Sequence, residues 1–365
     1  MYRVAIVGAY GNFGSIIRKK LAEQRNTPFI LSVGRDRHKL DFLASGNATH
    51  YWAGDAHSDQ FTKVLRDHEI DLVIHTAGPF QGQDYNVAKS AIAAGANYCD
   101  LSDCRHFVRG ISDLDEAAKR AQVFVLSGCS SVPTLSAGVI DHFRPLFSKI
   151  DHIDFGISSS AKMPGVSTVR GVLDYAGKPI EQFENGVVKA VRGWQDLTLH
   201  RFHGLGLRLL ANVDVPDMDI FPSRYGAQSV RFQAGSGLKL GTLANFSVAT
   251  LARFGLIRNA GHYADLLHRV GKRFEWMGDR KSLMFIKISG TGLDGLPYQH
   301  RWEIEAHDDK GPTIPSSGAV ALTRMQMAGI RVSPGARPCV GVIPMERYLE
   351  AIGESSIFVR SRPGI

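Results

Sequence analysis

Residues Val4 to Leu21 read VAIVGAYGNFGSIIRKKL. An apolar, β-branched run gives way to Gly8, Gly11 and Gly14, and then to a stretch with helical spacing. The order GxxGxxG stands in place of the commoner GxGxxG, and the physics is related. Gly8 lets the chain turn sharply off a strand, Gly11 lets backbone amides close on a diphosphate, and Gly14 lets the helix pack tightly on the sheet. The helix tip then offers unpaired amides and a positive dipole to phosphate oxygens. A glycine triplet alone is weak evidence, but here it follows a strand and opens a helix, which is the context a dinucleotide needs. Gly8, Ala9, Tyr10, Gly11, Asn12, Phe13 and Gly14 are therefore candidate cofactor-binding residues.

The next strand refines the reading. It runs FILSVGRDRHKL, so Gly34 and Arg35 stand where an NAD-preferring fold carries an acidic residue for the ribose 2′-hydroxyl. A guanidinium there grips a 2′-phosphate through forked, charge-assisted hydrogen bonds, whereas a carboxylate would repel it. The expectation is NADP(H), with Asp36 as the neighbour that blurs the preference. Further along, DLVIHTAGPF sets Thr76, Ala77 and Gly78 after the fourth strand, where small residues suit close approach of a ribose and nicotinamide. Asp55, in GDAHSD, ends the third strand and is a candidate for the adenine, with helix capping as the alternative.

A chain of 365 residues implies two domains. With 44% hydrophobic and 21% charged residues, both should bury real cores. Residues 1–128 hold 15 Lys and Arg against 14 Asp and Glu, and the remainder 28 against 21. The basic excess therefore lies outside the glycine-rich half; it reads as a solvated basic surface, or as suited to an acidic substrate or an anionic membrane surface. No nucleic-acid signature accompanies it. Cys99, Cys104, Cys129 and Cys339 form no CxxC pair and no zinc spacing, so we expect no metal and reduced thiols in a cytoplasmic protein. The start goes straight into a strand without the pattern of a secretory leader, and the longest apolar-leaning run, Leu240 to Ala252, is too short for a membrane span.

Strand-like runs at Arg3–Val7, Phe29–Val33, His50–Trp52, Asp71–His75, Tyr98–Asp100 and Val123–Leu126 alternate with helical stretches. That alternation implies βαβ units and a doubly wound parallel sheet, a Rossmann-like domain. Asp59 and Asp84 are expected to cap helices, and Gly95 to close one. Thr134–Phe147 reads as a helix bent at Pro145. Beyond Asp151 the pattern turns to antiparallel-looking runs mixed with helices, a second α+β domain. Ser317–Ala328 and Pro344–Ile352 read as helices and Ser333–Pro338 as a loop. The expected domains are residues 1–148, 149–315 and a C-terminal segment, 316–365, returning to the first.

The combination VGAYGNFG, VGRD and TAGPFQGQDYNVAKSAIAAGANYCDLSD resembles the saccharopine dehydrogenase/reductase-like family, over roughly residues 1–145. The resemblance implies a two-domain oxidoreductase with NADP(H) in an interdomain cleft. It places Gly8, Gly11 and Gly14 at the diphosphate, Arg35 at the 2′-phosphate, and Ala77, Gly78, Pro79 and Phe80 along the nicotinamide. Named members act on saccharopine, carboxynorspermidine or related amino acid–imine adducts, and others reduce lipid-linked enoyl groups.

Hydride chemistry belongs to the cofactor, so the protein must orient the substrate and move one proton. Tyr98, Asp100, Asp103 and Cys129 are the candidate catalytic residues, each with a packing or capping alternative. His75 reads as a buried, hydrogen-bonded histidine. Arg170, Arg201, Arg224, Arg231 and Lys162 are candidate anion contacts. The expected function is NADP(H)-dependent oxidoreduction of a C=N/CH–NH, C=O or C=C bond in an acidic small molecule. A lipid-associated enoyl reductase and a non-catalytic NADP-binding regulator are the alternatives, and a homodimer and a peripheral membrane contact stay open. The segment LKLGTLANFSVATLARFGLI bears on the lipid reading: it lines an apolar pocket, rests on an anionic bilayer or packs as a core helix.

Overall fold

A computed structural model describes residues 1–44 and 50–364. The chain divides into two units, residues 1–135 with 312–353, and residues 136–311 with 354–365.

The first unit follows the alternation of the sequence. Its elements are β1 (Arg3–Val7), α1 (Asn12–Ala22), β2 (Phe29–Gly34), α2 (Arg37–Ala44), β3 (His50–Ala53), α3 (Gln60–Asp67), β4 (Leu72–His75), α4 (Asn86–Ala94), β5 (Asn97–Asp100), α5 (Arg105–Gly110), α6 (Asp115–Arg120) and β6 (Phe124–Ser127). Every pair in the sheet is parallel, in the order β3-β2-β1-β4-β5-β6. The strand order reverses between β1 and β4, the switch point at which open α/β sheets hold ligands. Ala5, Val7, Leu31, Val33, Val73 and Val125 build the core on one face. Gly95 ends α4 at φ +75°, in the left-handed region where glycine has no Cβ to clash. Asp84 accepts the Asn86 amide at 3.0 Å, whereas Asp59 gives no side-chain cap to α3.

The second unit begins with α7 (Ser136–Phe143), so the helix expected over Thr134–Phe147 is shorter at both ends; Pro145 falls in a tight turn just before the next strand. There follow β7 (Phe147–Ser159), α8 (Val166–Asp174), β8 (Pro179–Glu184), β9 (Val187–Arg192), β10 (Thr198–Phe202), β11 (Gly206–Asn212), α9 (Asp217–Tyr225), β12 (Ser229–Ser236), α10 (Lys239–Arg253), α11 (Ala264–Lys272), β13 (Ser282–Gly292) and β14 (Pro297–Ala306). The chain then gives α12 (Thr313–Met327), β15 (Gly335–Pro338) and α13 (Met345–Ile352) to the first unit, and β16 (Ile357–Gly364) to the second. The second unit's sheet runs β10-β11-β12-β7-β13-β14-β16, with β8 and β9 branching from β12. It is mixed: β12 and β7 are parallel, and β13, β14 and β16 antiparallel.

Two elements differ from the sequence reading. Ser333–Pro338, expected as a loop, supplies β15, a seventh parallel strand beside β6. An edge strand tolerates glycine and proline that a central one would not. α10, one reading of which was a core helix, buries only Thr242 and Ala249.

Candidate dinucleotide site

β1 delivers the chain to Gly8, which sits at φ +83°. A Cβ there would meet Thr76 Oγ1 at 2.8 Å and the Ala77 amide nitrogen at 3.1 Å. The Gly8 amide donates to the Val33 carbonyl at 2.9 Å, which binds the turn to the end of β2, and Gly11 donates back to the Gly8 carbonyl at 2.8 Å. Gly14 is tighter still: its Cβ would lie 2.3 Å from that same carbonyl oxygen. α1 can approach the β1 turn this closely only without a side chain at Gly14. No side chain caps the first turn of α1, so its amides are left for another partner.

At the end of β2, Tyr10 crosses the backbone where Gly34 leaves room; a Cβ on Gly34 would fall 2.3 Å from the ring. The Tyr10 hydroxyl accepts the Asp36 amide at 3.3 Å, and Lys39 Nζ lies 5.3 Å from the ring centre. Asp36 is turned to local work. Its carboxylate accepts the Lys39 amide at 3.2 Å and pairs with Lys39 Nζ at 3.5 Å, contacts that hold it below its ordinary range. Arg35 is exposed, and among the described residues no carboxylate pairs with it. The neighbour that threatened to blur the Arg35 signal is thus engaged elsewhere.

The loop after β4 is braced from within. Gln83 Nε2 donates to the Ala77 carbonyl at 2.8 Å and to the Pro79 carbonyl at 2.7 Å. The Gly78–Pro79 peptide is cis, and Phe80 is buried edge-on to His75 with 5.1 Å between ring centres. Thr76 Oγ1 donates to the Val7 carbonyl at 2.8 Å, which joins this loop to the glycine turn. Gln83 carries no motif signal, so its bracing role was not visible in the sequence. Asp55 is exposed and makes a local turn, accepting the His57 amide at 3.0 Å on its carboxylate.

The four candidate proton carriers separate by burial. Tyr98 is buried, its hydroxyl 3.0 Å from His75 Nδ1, and burial followed by the nearby Asp100 charge pushes its phenol far up. His75 is itself buried, which pushes it down to about 3 and keeps it neutral, in line with a structural histidine. Asp100 is fully buried. One carboxylate oxygen accepts the Ser102 amide, the Gly128 amide and the Ser127 hydroxyl, each at 2.9 Å. Burial outweighs those bonds and raises the carboxyl to about 6. Cys129 is also fully buried. Its contact with Cys339 pulls the thiol down, but Cys99 and burial together push it well above the ordinary range. Asp103 alone of the four reaches solvent. Desolvation by the surrounding protein still pushes its carboxyl up, against its own backbone amide, which pulls it down.

Two of the candidate anion contacts are already engaged. Arg170 pairs with Asp265 at 3.0 Å, and Arg224 with Asp141 at 2.8 Å. Among the described residues no cluster of His, Cys, Asp and Glu could hold a metal, and no helix is long and apolar enough to cross a membrane.

Residues 4–126 match the family described as the saccharopine dehydrogenase NADP binding domain. The match is to this domain and does not reach the second unit. The glycine turn described above lies inside the matched residues. Among solved structures, the saccharopine dehydrogenase-like fold spans both units. Apo saccharopine dehydrogenase (L-Glu forming) from Saccharomyces cerevisiae matches with a TM-score of 0.68 at 13% identity, covering 100% of each chain. Homospermidine synthase from Legionella pneumophila, in complex with NAD, matches with a TM-score of 0.62 at 11% identity, covering 100% of this chain and 91% of that one. At these identities the likeness is one of fold. No curated protein sequence matches.

Proposed function

We propose that the protein is an NADP(H)-dependent oxidoreductase acting on a C=N/CH–NH, C=O or C=C bond of an acidic small molecule. The observation that carries the proposal is the uncapped tip of α1, set against Gly8 and Gly14 with the exposed Arg35 at the end of β2. When bound, NADP(H) gives or takes a hydride at its nicotinamide ring. The chain's own residues do the rest. The α1 amides meet the diphosphate, and the Arg35 guanidinium forks onto the 2′-phosphate. Ala77, Gly78, Pro79 and Phe80, held by Gln83, flank the nicotinamide, and the turn at Asp55 adjoins the adenine. Asp103, reached by water and with its carboxyl raised, is the group we assign to carry the proton; Tyr98, Asp100 and Cys129 shape the strand ends behind it. The basic excess beyond residue 128 favours an acidic substrate. Four free thiols favour a reducing compartment, the cytoplasm.

Calorimetric titration of wild type and Arg35→Ala with NADPH and NADH tests the cofactor assignment. A lost charge-assisted contact predicts roughly ten- to hundredfold weaker NADPH binding with NADH little changed. Equal losses for both cofactors would remove Arg35 from the 2′-phosphate.

A further inference from the structure

A helix on a protein surface ordinarily turns its apolar stripe inward and its polar face to water. α10 does the reverse. Leu240, Leu243, Ser247 and Leu251 follow one another at three- and four-residue spacing along one face, and that face is exposed. Phe254, just past the helix end, continues the line and is 71% exposed. The inward side holds Thr242 and Ala249. α11 repeats the inversion: Tyr263, Leu266, Val270 and Phe274 form an exposed stripe, and Ala264 is the helix's one buried residue. The two helices are linked through the turn between them and through the chain that follows α11. The turn at Ala260–Tyr263 packs on both helices, and Gly278, just past Trp276 and Met277, closes on Leu238 at the start of α10. Trp276 is 81% exposed. Exposed apolar residues scattered singly are ordinary, but contiguous stripes of this kind mark an interaction surface.

Charge selects the partner. Residues 239–281 carry eight Lys and Arg against three Asp and Glu. Each of those three carboxylates is occupied: Asp265 by Arg170, Glu275 by the Met163 amide and Asp279 by Arg208. The cations beside the stripes, among them Arg253, Arg269, Lys272 and Arg273, are exposed. A second copy of the chain would bring the same positive patch against itself, so a two-fold interface here repels. An anionic bilayer attracts every one of these cations while its acyl region takes the leucines and aromatics. No described helix is built to span the membrane, so the contact lies in the plane of the surface.

We propose that the outward stripes of α10 and α11, with Phe254 and Trp276, dock the second unit on an anionic lipid surface. The proposal is independent of the cofactor assignment.

Flotation with vesicles of phosphatidylcholine and phosphatidylglycerol, against phosphatidylcholine alone, tests it on the full-length protein. Binding to the anionic vesicles that weakens with added salt is expected. Of the four tryptophans, Trp276 is the exposed one: Trp52 is half-buried, and Trp194 and Trp302 are buried. Brominated acyl chains should therefore quench wild-type emission, and Trp276→Phe should abolish that quenching. Leu243→Glu with Leu251→Glu should cut vesicle partitioning at least tenfold while NADPH affinity is unchanged. Absence of flotation, flotation indifferent to the two glutamates, or quenching that survives Trp276→Phe overturns the proposal. So does a dimer, seen by sedimentation, that the two glutamates dissociate, because the occupant is then a second copy. Should the double variant not fold, the tryptophan arm still decides.

Discussion

Arg35 and Asp36 are adjacent in sequence, and only one of them is spent: the carboxylate caps its own helix while the guanidinium faces solvent. The residue types at the end of β2 were legible, but the division of labour was not, because it depends on Tyr10 and Lys39 closing over Asp36. Burial was legible only in part. Tyr98 and Cys129 carried packing as an alternative reading and are buried, whereas Asp100, read as a turn cap, is enclosed as fully as they are. A buried acid of the second unit gives a sharper test. Asp217, on α9, accepts a hydrogen bond from Ser136, yet its burial raises the carboxyl to about 7. Against an unfolded value of about 3.9, the native state keeps a proton that the unfolded chain releases. Stability therefore falls as pH rises from about 4 to 7, by up to roughly 4 kcal/mol for this one group. Asp217→Asn should flatten that part of the profile and stabilise the protein at pH 8, as read by urea unfolding. An unchanged slope would mean that the carboxyl titrates normally.

The elements of the first unit were legible because each βα step carries its own periodicity and punctuation. β1 falls on the expected residues, and the other strands through β6 within one residue at each end. β15 was missed for a physical reason: GARP has the composition of a turn, and only β6 beside it makes it a strand. The second unit was less legible. Its strands pair across long separations, as β14 does with β16, and β8 to β11 and β16 carried no local signal strong enough to mark them. At the level of one element, α1 offers the clearest test. Its tip can close on a diphosphate only while Gly14 has no Cβ, since the Gly8 carbonyl occupies that space. Gly14→Ala should push the helix off the turn and weaken NADPH binding at least tenfold, with far-ultraviolet circular dichroism little altered. Wild-type affinity in that variant would separate the glycine turn from the cofactor.

On the scale of the whole molecule, each unit is assembled from two separate pieces of chain. The sequence placed a boundary near 148 and a return near 316, and the chain crosses at 135/136, 311/312 and 353/354. The last crossing has a testable consequence. β16 covers β14 over eight paired residues, Gln299 to Ala306, so a chain ended after Gly353 exposes that edge. Amide exchange along β14 should rise sharply in the shortened chain while the first unit, complete to Gly353, still binds NADPH. Unchanged exchange at Trp302 and Ile304 would contradict the assignment of β16.

The proposed function rests on one seat for one phosphorylated dinucleotide, and direct calorimetric titration of the wild-type protein with NADPH and NADH measures it. Saturable binding of NADPH, at least tenfold tighter than that of NADH, is the predicted result. No heat with either cofactor, or tighter binding of NADH, would contradict it.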